Sequence, residues 1–401
     1  MTDRHANFEK LPLLKDEEMG DIRDIVIQLT RRPNQPGGTE VMEMDHDDLR
    51  HAVAYVGDVI PRRFHDPNNL NRVGNLLDVL GKVNEPINNG RRRFRIEHNG
   101  SAFRAQVGVR PDGGLDVTLR ALPKETPHLR ELRMPDAWRT FLLSKEHLNG
   151  GLLLVSGLNG NGKTTTIAAT VISRLQRFGG HANVVEDPSE LPLDGPWVGP
   201  DGKGGYCAQR PADLLDEPGQ PGTGYKRALY EAARQFPSFT GGGTILVVGE
   251  IRDEETAIEA VNGAVAGHFV LASVHSPSAV AAIDRVVGLA SRKAGVDPAA
   301  FRGQLSQHLI GVLHQRLAYH GQPGERHGSW WDRAEVRGEV LLRDESGVGA
   351  SKVASAIAKG PSDQAHLAEY SRLQTEALSA LKGEVTMQQV RSAINANTKH
   401  S

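Results

Sequence analysis

The chain of 401 residues exceeds the size at which one hydrophobic core stops growing, about 250–300 residues, so we expect two or three domains. Its 47 basic and 49 acidic side chains nearly balance, which excludes a protein-wide positive electrostatic field that would attract nucleic acid or anionic membranes. No apolar run approaches the ~18–20 residues of a membrane span and no signal peptide opens the chain, so we expect a cytoplasmic protein. The single cysteine, Cys207, excludes an intrachain disulfide and a cysteine-rich zinc site.

The first part of the chain, from about Asp21 to Pro135, has a mixed pattern. Two stretches, Asp21–Thr30 and Asp47–Phe64, carry helix-like or buried apolar spacing. Three later stretches alternate with a period of two, as half-buried strands do: Arg93–Glu97, Ala102–Val109 and Leu115–Leu122. We therefore predict a small α+β domain with an antiparallel sheet, followed by a proline-containing linker near residues 123–136.

From Trp138 to about Arg343, apolar runs alternate with helical patterns, which is typical of an α/β domain with a largely parallel sheet. The strand-like runs are Gly151–Ser156, Ala182–Val185, Thr244–Val248 and Phe269–Val274. The segment Pro192–Gly224 is rich in glycine and proline and is predicted to be a long excursion between strands.

The end of the chain has three helical patterns, at Lys352–Lys359, Ser362–Leu381 and Met387–Ile394. The predicted fold class is thus α/β, with a mostly parallel sheet in the central domain. We place a smaller α+β domain at residues 1–130 with a linker to about 136, the α/β domain at 137–345, and a C-terminal helical segment at 346–401.

A glycine-rich loop, Gly157–Thr164, lies between the strand Gly151–Ser156 and the helix-compatible run Thr165–Leu175. Its spacing, G-x-x-x-x-G-K-T, lets backbone N–H groups and a helix N-terminus face phosphate oxygens. Lys163 is expected to reach the β- and γ-phosphates of a nucleotide, and the Thr164 hydroxyl is expected to hold Mg²⁺. The alternative, a chance glycine-rich turn, does not explain the flanking strand and helix. The predicted nucleotide-binding residues of this loop are Gly157, Asn159, Gly160, Asn161, Gly162, Lys163, Thr164 and Thr165.

Two predicted strands end in carboxylates, one in Glu186 and Asp187 and the other in Gly249 and Glu250. Ligands of open α/β sheets bind at the carboxyl ends of the strands. A glutamate at the Glu250 position can orient the water that attacks a γ-phosphate. Phosphate-loop proteins ordinarily have a Mg²⁺-binding Asp at the position of Gly249. We therefore expect Mg²⁺ to be bound by Thr164, by water molecules and by either Glu186 or Asp187. For the first strand, an acidic turn without a catalytic role is the alternative.

Two histidines, His268 and His275, flank the strand-like run Phe269–Val274. Residues seven apart on a strand point to opposite faces, so the pair is a poor joint metal site. A hydrogen-bonded core histidine and a phosphate sensor are both compatible with either position.

Five stretches together resemble one family of proteins. They are GLNGNGKTTT, VVEDPSE, ILVVGEIRDEET, GHFVLASVHS and the triplet Gln315–Leu317. In order and spacing they resemble the secretion-superfamily motor ATPases of type II and type IV secretion and of type IV pili, and most closely the PilT-like retraction and conjugative type IVB transfer ATPases. The resemblance covers about Arg91 to Leu342. It implies a RecA-like P-loop domain after a PAS-like domain, ATP and Mg²⁺ bound between them, and a hexameric ring.

The resemblance also implies roles for individual residues. Glu186 corresponds to the carboxylate of the Asp box, and Glu250 corresponds to the catalytic glutamate of an atypical Walker B motif. His268 and His275 correspond to the His box. Together with Lys163, these residues form the predicted catalytic set, and Thr164 and Asp187 form the predicted metal site.

Arginines complete the predicted nucleotide site. Arg93, Arg95 and Arg120 resemble arginines that approach the nucleotide from the N-terminal domain, and which of them does so stays open. Arg234 stands in the family's Arg-x-x-Pro-Asp motif and is expected to act as a sensor, although Ser238 replaces the final Asp. The run Arg91–Arg95 is also compatible with DNA binding or with a solvated face of the sheet. Proteins that bind single-stranded DNA usually place several aromatic rings among the basic residues of their binding groove, whereas this run has one.

We therefore predict an ATP-hydrolysing, homo-hexameric motor that drives a type IV pilus or a type IV secretion or conjugative transfer machine. It is expected to dock on an inner-membrane platform protein, to associate peripherally with the membrane through partners, and to make no direct contact with nucleic acid. The family's four-cysteine zinc module of type II assembly ATPases is missing, which favours the retraction or conjugative branch. A RecA-like hexameric DNA translocase and a non-hydrolysing nucleotide-gated scaffold are the alternatives.

Overall fold

The computed structural model describes most of the chain in twelve segments. They are residues 24–29, 52–55, 62–63, 82–83, 86–87, 91–98, 101–111, 114–212, 223–235, 243–319, 334–344 and 351–398. Parts of several sequence predictions lie outside these segments, among them both ends of Asp21–Thr30, most of Asp47–Phe64, residues 213–222 of the predicted excursion, and Ser238.

The first sheet of the described residues is antiparallel and has six strands in the order β3-β2-β1-β6-β5-β4. Its strands are β1 (Asp24–Leu29), β2 (Val53–Tyr55), β3 (Arg62–Arg63), β4 (Arg93–His98), β5 (Ser101–Val109) and β6 (Leu115–Leu122). One face carries an apolar core that includes Ile27, Phe94 and Leu119, all fully buried. The antiparallel sheet predicted from the alternating runs is confirmed.

The helix-like interpretation of Asp21–Thr30 is wrong for its described part, which is strand β1. Ile25 and Ile27 are buried while Val26 between them is partly exposed, so the apolar spacing has a period of two. Residues 53–55 and 62–63 of the second stretch are likewise strands. Isoleucine and valine favour strands once a neighbouring strand covers one face, and such a neighbour cannot be read from a local pattern.

The second sheet has eight strands in the order β14-β13-β7-β12-β11-β8-β10-β9. Its strands are β7 (Gly151–Ser156), β8 (Gly180–Glu186), β9 (Gly195–Val198), β10 (Gly204–Pro211), β11 (Thr244–Val248), β12 (Phe269–Val274), β13 (Leu309–Tyr319) and β14 (Ala334–Leu342). The six inner strands run parallel, and the edge strands β9 and β14 are antiparallel to their neighbours. The predicted strands and the largely parallel sheet are confirmed.

Helices cover both faces of this second sheet. They are α1 (Asp136–Leu142), α2 (Lys163–Phe178), α3 (Thr223–Gln235), α4 (Glu254–Val265), α5 (Ala279–Ala290), α6 (Pro298–His308), α7 (Lys352–Lys359), α8 (Gln364–Ala380) and α9 (Met387–Thr398). Alternate strand residues enter different layers, since Leu152 and Leu154 pack with α3 to α7 while Leu153 and Val155 pack with α1, α2 and α9. Burial on both faces explains why these strands are continuous apolar runs. In the described part of the chain, no helix is both long and apolar enough to cross a membrane.

The predicted C-terminal helices are confirmed and complete the layers of the second sheet. Helix α8 also covers the outer edge of β14. The Gln374 side chain accepts from Leu342 N at 2.7 Å and donates to Leu342 O at 2.9 Å, and the Thr375 hydroxyl accepts from Val340 N at 2.9 Å. Side-chain hydrogen bonds thereby satisfy backbone groups that an exposed edge strand would offer to other chains.

The predicted excursion Pro192–Gly224 contains two strands, β9 and β10, which extend the second sheet beyond β8. Residues of β10 pair in parallel with β8 from Gly205 opposite Gly180 to Pro211 opposite Glu186. The glycine and proline content of the segment therefore did not indicate strand β10. The pairing of β10 with β8 places Gln209 beside the end of β8. Between the two sheets, residues 123–135 carry no helix and no strand beyond one bridge, Arg133 to Glu335.

Candidate active site

The loop between β7 and α2 has a backbone that requires glycine at its start. Gly157 has φ 147°, and a Cβ there would lie 2.4 Å from the carbonyl oxygen of Gln315. Gln315 on β13 closes the other side of the loop, because its Nε2 donates to the carbonyl oxygen of Asn161 at 2.6 Å. The Asn161 side chain in turn accepts from Leu317 N at 3.4 Å. The neighbouring strand β13 thus holds the loop in place.

Helix α2 begins in a way that suits an anion. Its N-cap is Gly162 at φ 74°, no side chain caps it, and no acidic residue occupies its first turn. The first N–H groups of such a helix are left for a ligand, and the helix dipole favours negative charge there. The Thr166 hydroxyl in the first turn is buried and has no hydrogen-bond partner among the described residues.

Lys163 lies inside this loop with its ammonium group held by backbone carbonyls. Its Nζ lies 3.0 Å from the carbonyl oxygens of both Gly157 and Leu158 and 3.4 Å from Nδ1 of His275. Burial lowers the pKa of Lys163, and the carboxylates of Glu250 and Glu190 oppose that shift. The Lys163 ammonium contacts only neutral groups, so its charge is available to phosphate oxygens.

His275 connects Lys163 to Glu250. Its Nε2 lies 3.2 Å from Oε1 of Glu250, on the ring side away from Lys163. Burial lowers the pKa of His275, the Lys163 charge lowers it further, and Glu250 opposes both. The imidazole is therefore mainly neutral at pH 7. Its partners assign the tautomer, since Nδ1 accepts from an ammonium and Nε2–H donates to a carboxylate.

Glu250 is positioned through its backbone. Its N–H donates to the Tyr225 hydroxyl at 3.2 Å, and that hydroxyl donates to the carbonyl oxygen of Val185 at 3.0 Å. Tyr225 on α3 is buried and ties the ends of β8 and β11 together. The sequence analysis did not single out Tyr225, because the contact joins residues 25 and 40 positions apart.

Glu186 ends β8 in a closed environment. It is 6% exposed, and its Oε2 accepts from Nε2 of Gln209 at 2.9 Å. Burial raises the pKa of Glu186 to about 7; Glu190 also raises it, and the hydrogen bond from Gln209 and the charge of Arg95 lower it. A carboxyl group with this pKa is near half-protonation at neutral pH. Sequence reasoning missed Gln209, which only the pairing of β10 with β8 reveals.

Asp187, the next residue, is already paired. Its Oδ2 lies 2.7 Å from a guanidinium nitrogen of Arg252, which lies 5.0 Å from the centre of the Tyr225 ring. The pair raises the pKa of Arg252 against the opposing effect of burial. The predicted metal ligand Asp187 is thus held by a cation within the site.

A sequence profile described as Type II/IV secretion system protein matches residues 86–400 of the chain. The chain belongs to this family. The secretion-ATPase resemblance recognised in the five motifs is confirmed.

Relatives match a little over half of the chain. The Escherichia coli K12 protein YggR is 33% identical over 227 residues, which cover 56% of this chain and 59% of that protein. Type II secretion system protein E of Pectobacterium carotovorum is 34% identical over 228 residues, which cover 56% of this chain and 39% of that protein. The chain therefore matches only part of the length of these relatives.

Two solved structures share the fold over nearly the whole chain. The pilus retraction motor PilT, solved with bound ADP, has 23% identity and a TM-score of 0.58, and the match covers 94% of each chain. The Legionella pneumophila ATPase DotB has 17% identity and a TM-score of 0.55, and the match covers 90% of this chain and 85% of that one. The α/β fold predicted for the chain is confirmed.

Not every residue predicted for the family's site lies near the loop. His268 stands at the amino end of β12, roughly 20 Å along the strand from His275, and its Nε2 contacts the carbonyl oxygen of Ala233 at 3.0 Å. Arg234 lies at the end of α3 with its guanidinium 3.4 Å from the Tyr230 ring centre. The structure does not bring His268 or Arg234 to the loop.

The arginines of the first sheet differ in position. Arg95 donates to the carbonyl oxygen of Ser189 at 3.3 Å, close to the end of β8. Arg120 is 69% exposed and pairs with Asp24 of its own sheet at 2.9 Å. Arg104, which sequence reasoning did not name, contacts the carboxylate of Glu190. Of the three arginines that the resemblance offered on this sheet, Arg95 lies towards the site, Arg120 lies outside it, and Arg93 is exposed.

The residues present fit ATP and Mg²⁺. The uncapped start of α2 and the Lys163 ammonium suit phosphate oxygens. In the described segments, no three His, Cys, Asp or Glu side chains converge on one point. The Thr164 hydroxyl would therefore hold Mg²⁺ together with phosphate oxygens and waters, as Mg²⁺ commonly binds in nucleotide sites.

Proposed function

We propose that the chain is an ATPase that drives a secretion or pilus machine. The observation that carries this proposal is the line from Lys163 through His275 to Glu250 beside an uncapped helix start. It combines a phosphate cradle with a carboxylate that can orient water, and phosphoryl transfer needs positioning and charge stabilisation more than covalent help.

Each residue has a role in this reaction. Loop N–H groups and Lys163 bind the phosphates, and Glu250 orients the water that attacks the γ-phosphate. Neutral His275 fixes the orientation of Glu250 and adds no charge to the site. Glu186 assists by holding water or the metal's hydration shell, in proportion to its ionised fraction. Bound Mg²⁺ would supply charge to the phosphate oxygens.

The proposed machine and assembly rest on the resemblance to the family. We propose a homo-hexamer that works from the cytoplasm and docks on an inner-membrane platform protein of a type IV pilus or of a type IV secretion or conjugative system. The chain would then associate peripherally with the membrane through partners. The names of the similar proteins, a pilus retraction motor and a type II secretion protein, support a motor of this class. We keep the division at 1–130, 137–345 and 346–401, with ATP between the first two units.

The test is phosphate release by the purified full chain with ATP and Mg²⁺. Lys163→Ala is expected to abolish turnover and to keep the fold, because its ammonium faces a ligand site and supports no core. Lys359→Ala is the control, since this exposed lysine pairs with Asp363 at 3.1 Å far from the loop. Near-normal turnover in Lys163→Ala contradicts the assignment of the site. No turnover in the wild type supports the scaffold alternative, and turnover stimulated by DNA supports the translocase.

The assembly has its own test. Nucleotide bound between domains and completed by neighbours stabilises the ring through mass action. Light scattering at tens of micromolar, with and without a non-hydrolysable ATP analogue, is expected to show hexamers that the analogue stabilises. A fully active monomer under these conditions contradicts the proposed hexamer.

A further inference from the structure

A row of polar side chains crosses the carboxyl end of the second sheet. Ser156 ends β7, directly before the phosphate loop. In the strand register it lies opposite His314 of β13, and His314 lies opposite Glu339 of β14. The Ser156 hydroxyl contacts Nδ1 of His314 at 3.0 Å. The row therefore runs from the base of the phosphate loop to Glu339 on the edge strand.

Glu339 binds two helices with its two carboxylate oxygens. Its Oε1 accepts from Ala279 N, the first N–H of α5, at 3.0 Å. Its Oε2 accepts from the buried Ser371 hydroxyl of α8 at 3.3 Å. Negative charge is favourable at a helix start, and the first turn of α5 has no acidic residue of its own. Glu339 thus supplies from β14 the carboxylate that α5 lacks.

The start of α5 is closely linked to His275. Only Ser276, Pro277 and Ser278 separate His275 from Ala279. The proline ring fixes one backbone angle of this connection, and the buried Ser276 hydroxyl donates to the carbonyl oxygen of Ser278 at 2.8 Å. Ser278 is also the N-cap of α5. Because the connection is short and constrained, a shift of the helix start moves the His275 ring relative to the phosphate loop.

We propose that Glu339 is a positioning residue that fixes the start of α5 against β14 and α8 and thereby fixes the His275 ring beside the phosphate loop. This inference rests on the proposed ATPase function. The Glu339 carboxylate bonds to α5 and α8, so its effect on turnover passes through His275. The effect of losing His275 is therefore the upper limit for the effect of losing Glu339. In this arrangement, the packing of α8 on β14 is a condition for full turnover.

The first experiment measures kcat and KM for ATP on the purified full chain with Mg²⁺. Glu339→Ala is expected to lower kcat about three- to tenfold and to change KM by less than about twofold, because phosphate binding is kept while orientation at the reacting centre is partly lost. Glu339→Gln keeps an acceptor for Ala279 N and a partner for the Ser371 hydroxyl. It is expected to restore kcat to within about twofold of the wild type.

The matched control is Asp297→Ala. Asp297 caps the next helix, α6, by accepting from Ala299 N at 3.3 Å and from Ala300 N at 3.1 Å. Both alanine changes remove a carboxylate from a helix start and are expected to lower the unfolding temperature. Only Glu339→Ala is expected to lower kcat, because Glu339 holds the helix that follows His275.

The second experiment is a pair of double-mutant cycles. Once His275→Asn has removed the imidazole, Glu339→Ala is expected to lower kcat by less than about twofold further. Ser371→Ala removes the contact from α8 and is expected to lower kcat about twofold, the scale of one hydrogen bond, with a smaller factor in the Glu339→Ala background. A contact that serves stability alone gives the same factor in every background.

Hydrogen exchange reports on the start of α5 independently of turnover. On the full chain without nucleotide, amides of residues 276–284 are expected to exchange faster in Glu339→Ala and in Ser371→Ala than in the wild type. In Asp297→Ala they are expected to exchange at the rate of the wild type.

Three results overturn the proposal. They are an unchanged kcat in Glu339→Ala, an equal fall in kcat with and without the His275 imidazole, and unchanged exchange at the start of α5. If Glu339→Ala does not fold, the cycle of Ser371→Ala with His275→Asn gives the same decision. These results leave the proposed ATPase intact, whereas a wild-type chain without turnover overturns both proposals.

Discussion

Glu250 and Glu186 follow neighbouring parallel strands, β11 and β8, at the same edge of the sheet. The Glu250 side chain is 43% exposed and faces His275, whereas Glu186 is 6% exposed and faces Gln209. Burial raises the pKa of Glu186 to about 7. One edge therefore presents an open carboxylate beside the phosphate loop and a closed one that resists ionisation. Burial, not position along the strand, separates their roles.

The largest expected effect is that of Glu250→Gln. The amide keeps the size and the contact with His275 but cannot act as a base, so turnover is expected to fall about 10²-fold or more with nucleotide binding preserved. The measurements are steady-state phosphate release and a nucleotide dissociation constant. Glu186→Gln, the matched change, is expected to lower turnover less. Normal turnover in Glu250→Gln with an inactive Glu186→Gln would reverse the two assignments.

Glu186 is expected to make stability depend on pH. Its folded pKa, about 7, lies above the usual glutamate pKa of 4.5, so the folded state binds its proton more tightly than the unfolded state does. Stability from this group is complete below about pH 4.5, declines as pH rises through 7, and is flat above. The loss is about 3 kcal/mol at most.

Glu186→Gln removes this dependence. It is expected to unfold at higher denaturant concentration than the wild type at pH 8 and at similar concentration at pH 5, as read from denaturation midpoints. A Glu250→Gln control is expected to leave the pH dependence of stability in place. Parallel pH profiles for Glu186→Gln and the wild type would show that Glu186 is not a buried carboxyl of raised pKa.

The two histidines of β12 offer the same comparison at opposite ends of one strand. His275→Asn is expected to lower turnover about tenfold, since it loosens the orientation of Glu250 within the usual range for a positioning contact. His268→Asn is expected to lower turnover no more than about twofold, because its ring contacts Ala233 away from the loop. Phosphate release by the two variants is the measurement that tests this difference. A larger loss in His268→Asn would mean that the far end of β12 takes part in catalysis.

A smaller effect than that of His275→Asn is expected for Tyr225→Phe. The ring still packs, but the backbone N–H of Glu250 and the carbonyl of Val185 lose the shared hydroxyl. We expect kcat to fall a few-fold with KM for ATP unchanged, and stability to fall by about 1 kcal/mol, as for one buried hydrogen bond. Tyr230→Phe on the same helix is the control, since this tyrosine is 52% exposed. An unchanged kcat would assign Tyr225 a purely structural role.

The sequence predicted four neighbouring strands of the second sheet, β7, β12, β11 and β8, because these strands are apolar on both faces. Gly151–Ser156 and Phe269–Val274 are strands within the predicted bounds, and each is fully buried. The prediction was wrong where pairing with distant strands decided the structure. Strand β1 looked helical from its apolar spacing, and β10 was hidden by glycines until parallel pairing with β8 made a strand of it.

The same limit applies to the site. The sequence identified the loop, Lys163 and the two glutamates, because local order along the chain places each at the end of a strand. It did not find Gln209, Tyr225 or Arg104, whose contacts join the site across 23, 25 and 86 positions. The resemblance also grouped His268 with His275, although the strand-like run between them places the two histidines at its opposite ends.

The sequence by itself determined the family, the phosphate loop and the order of the carboxylates, because glycine spacing and apolar runs are local properties of a chain. The tertiary structure decided which carboxylate is open, which histidine faces Lys163 and which arginine of the first sheet meets the loop after β8. These distinctions depend on burial and on charges brought together from distant positions. A pKa and an ion pair arise from a three-dimensional environment, and a linear order of residues does not contain it.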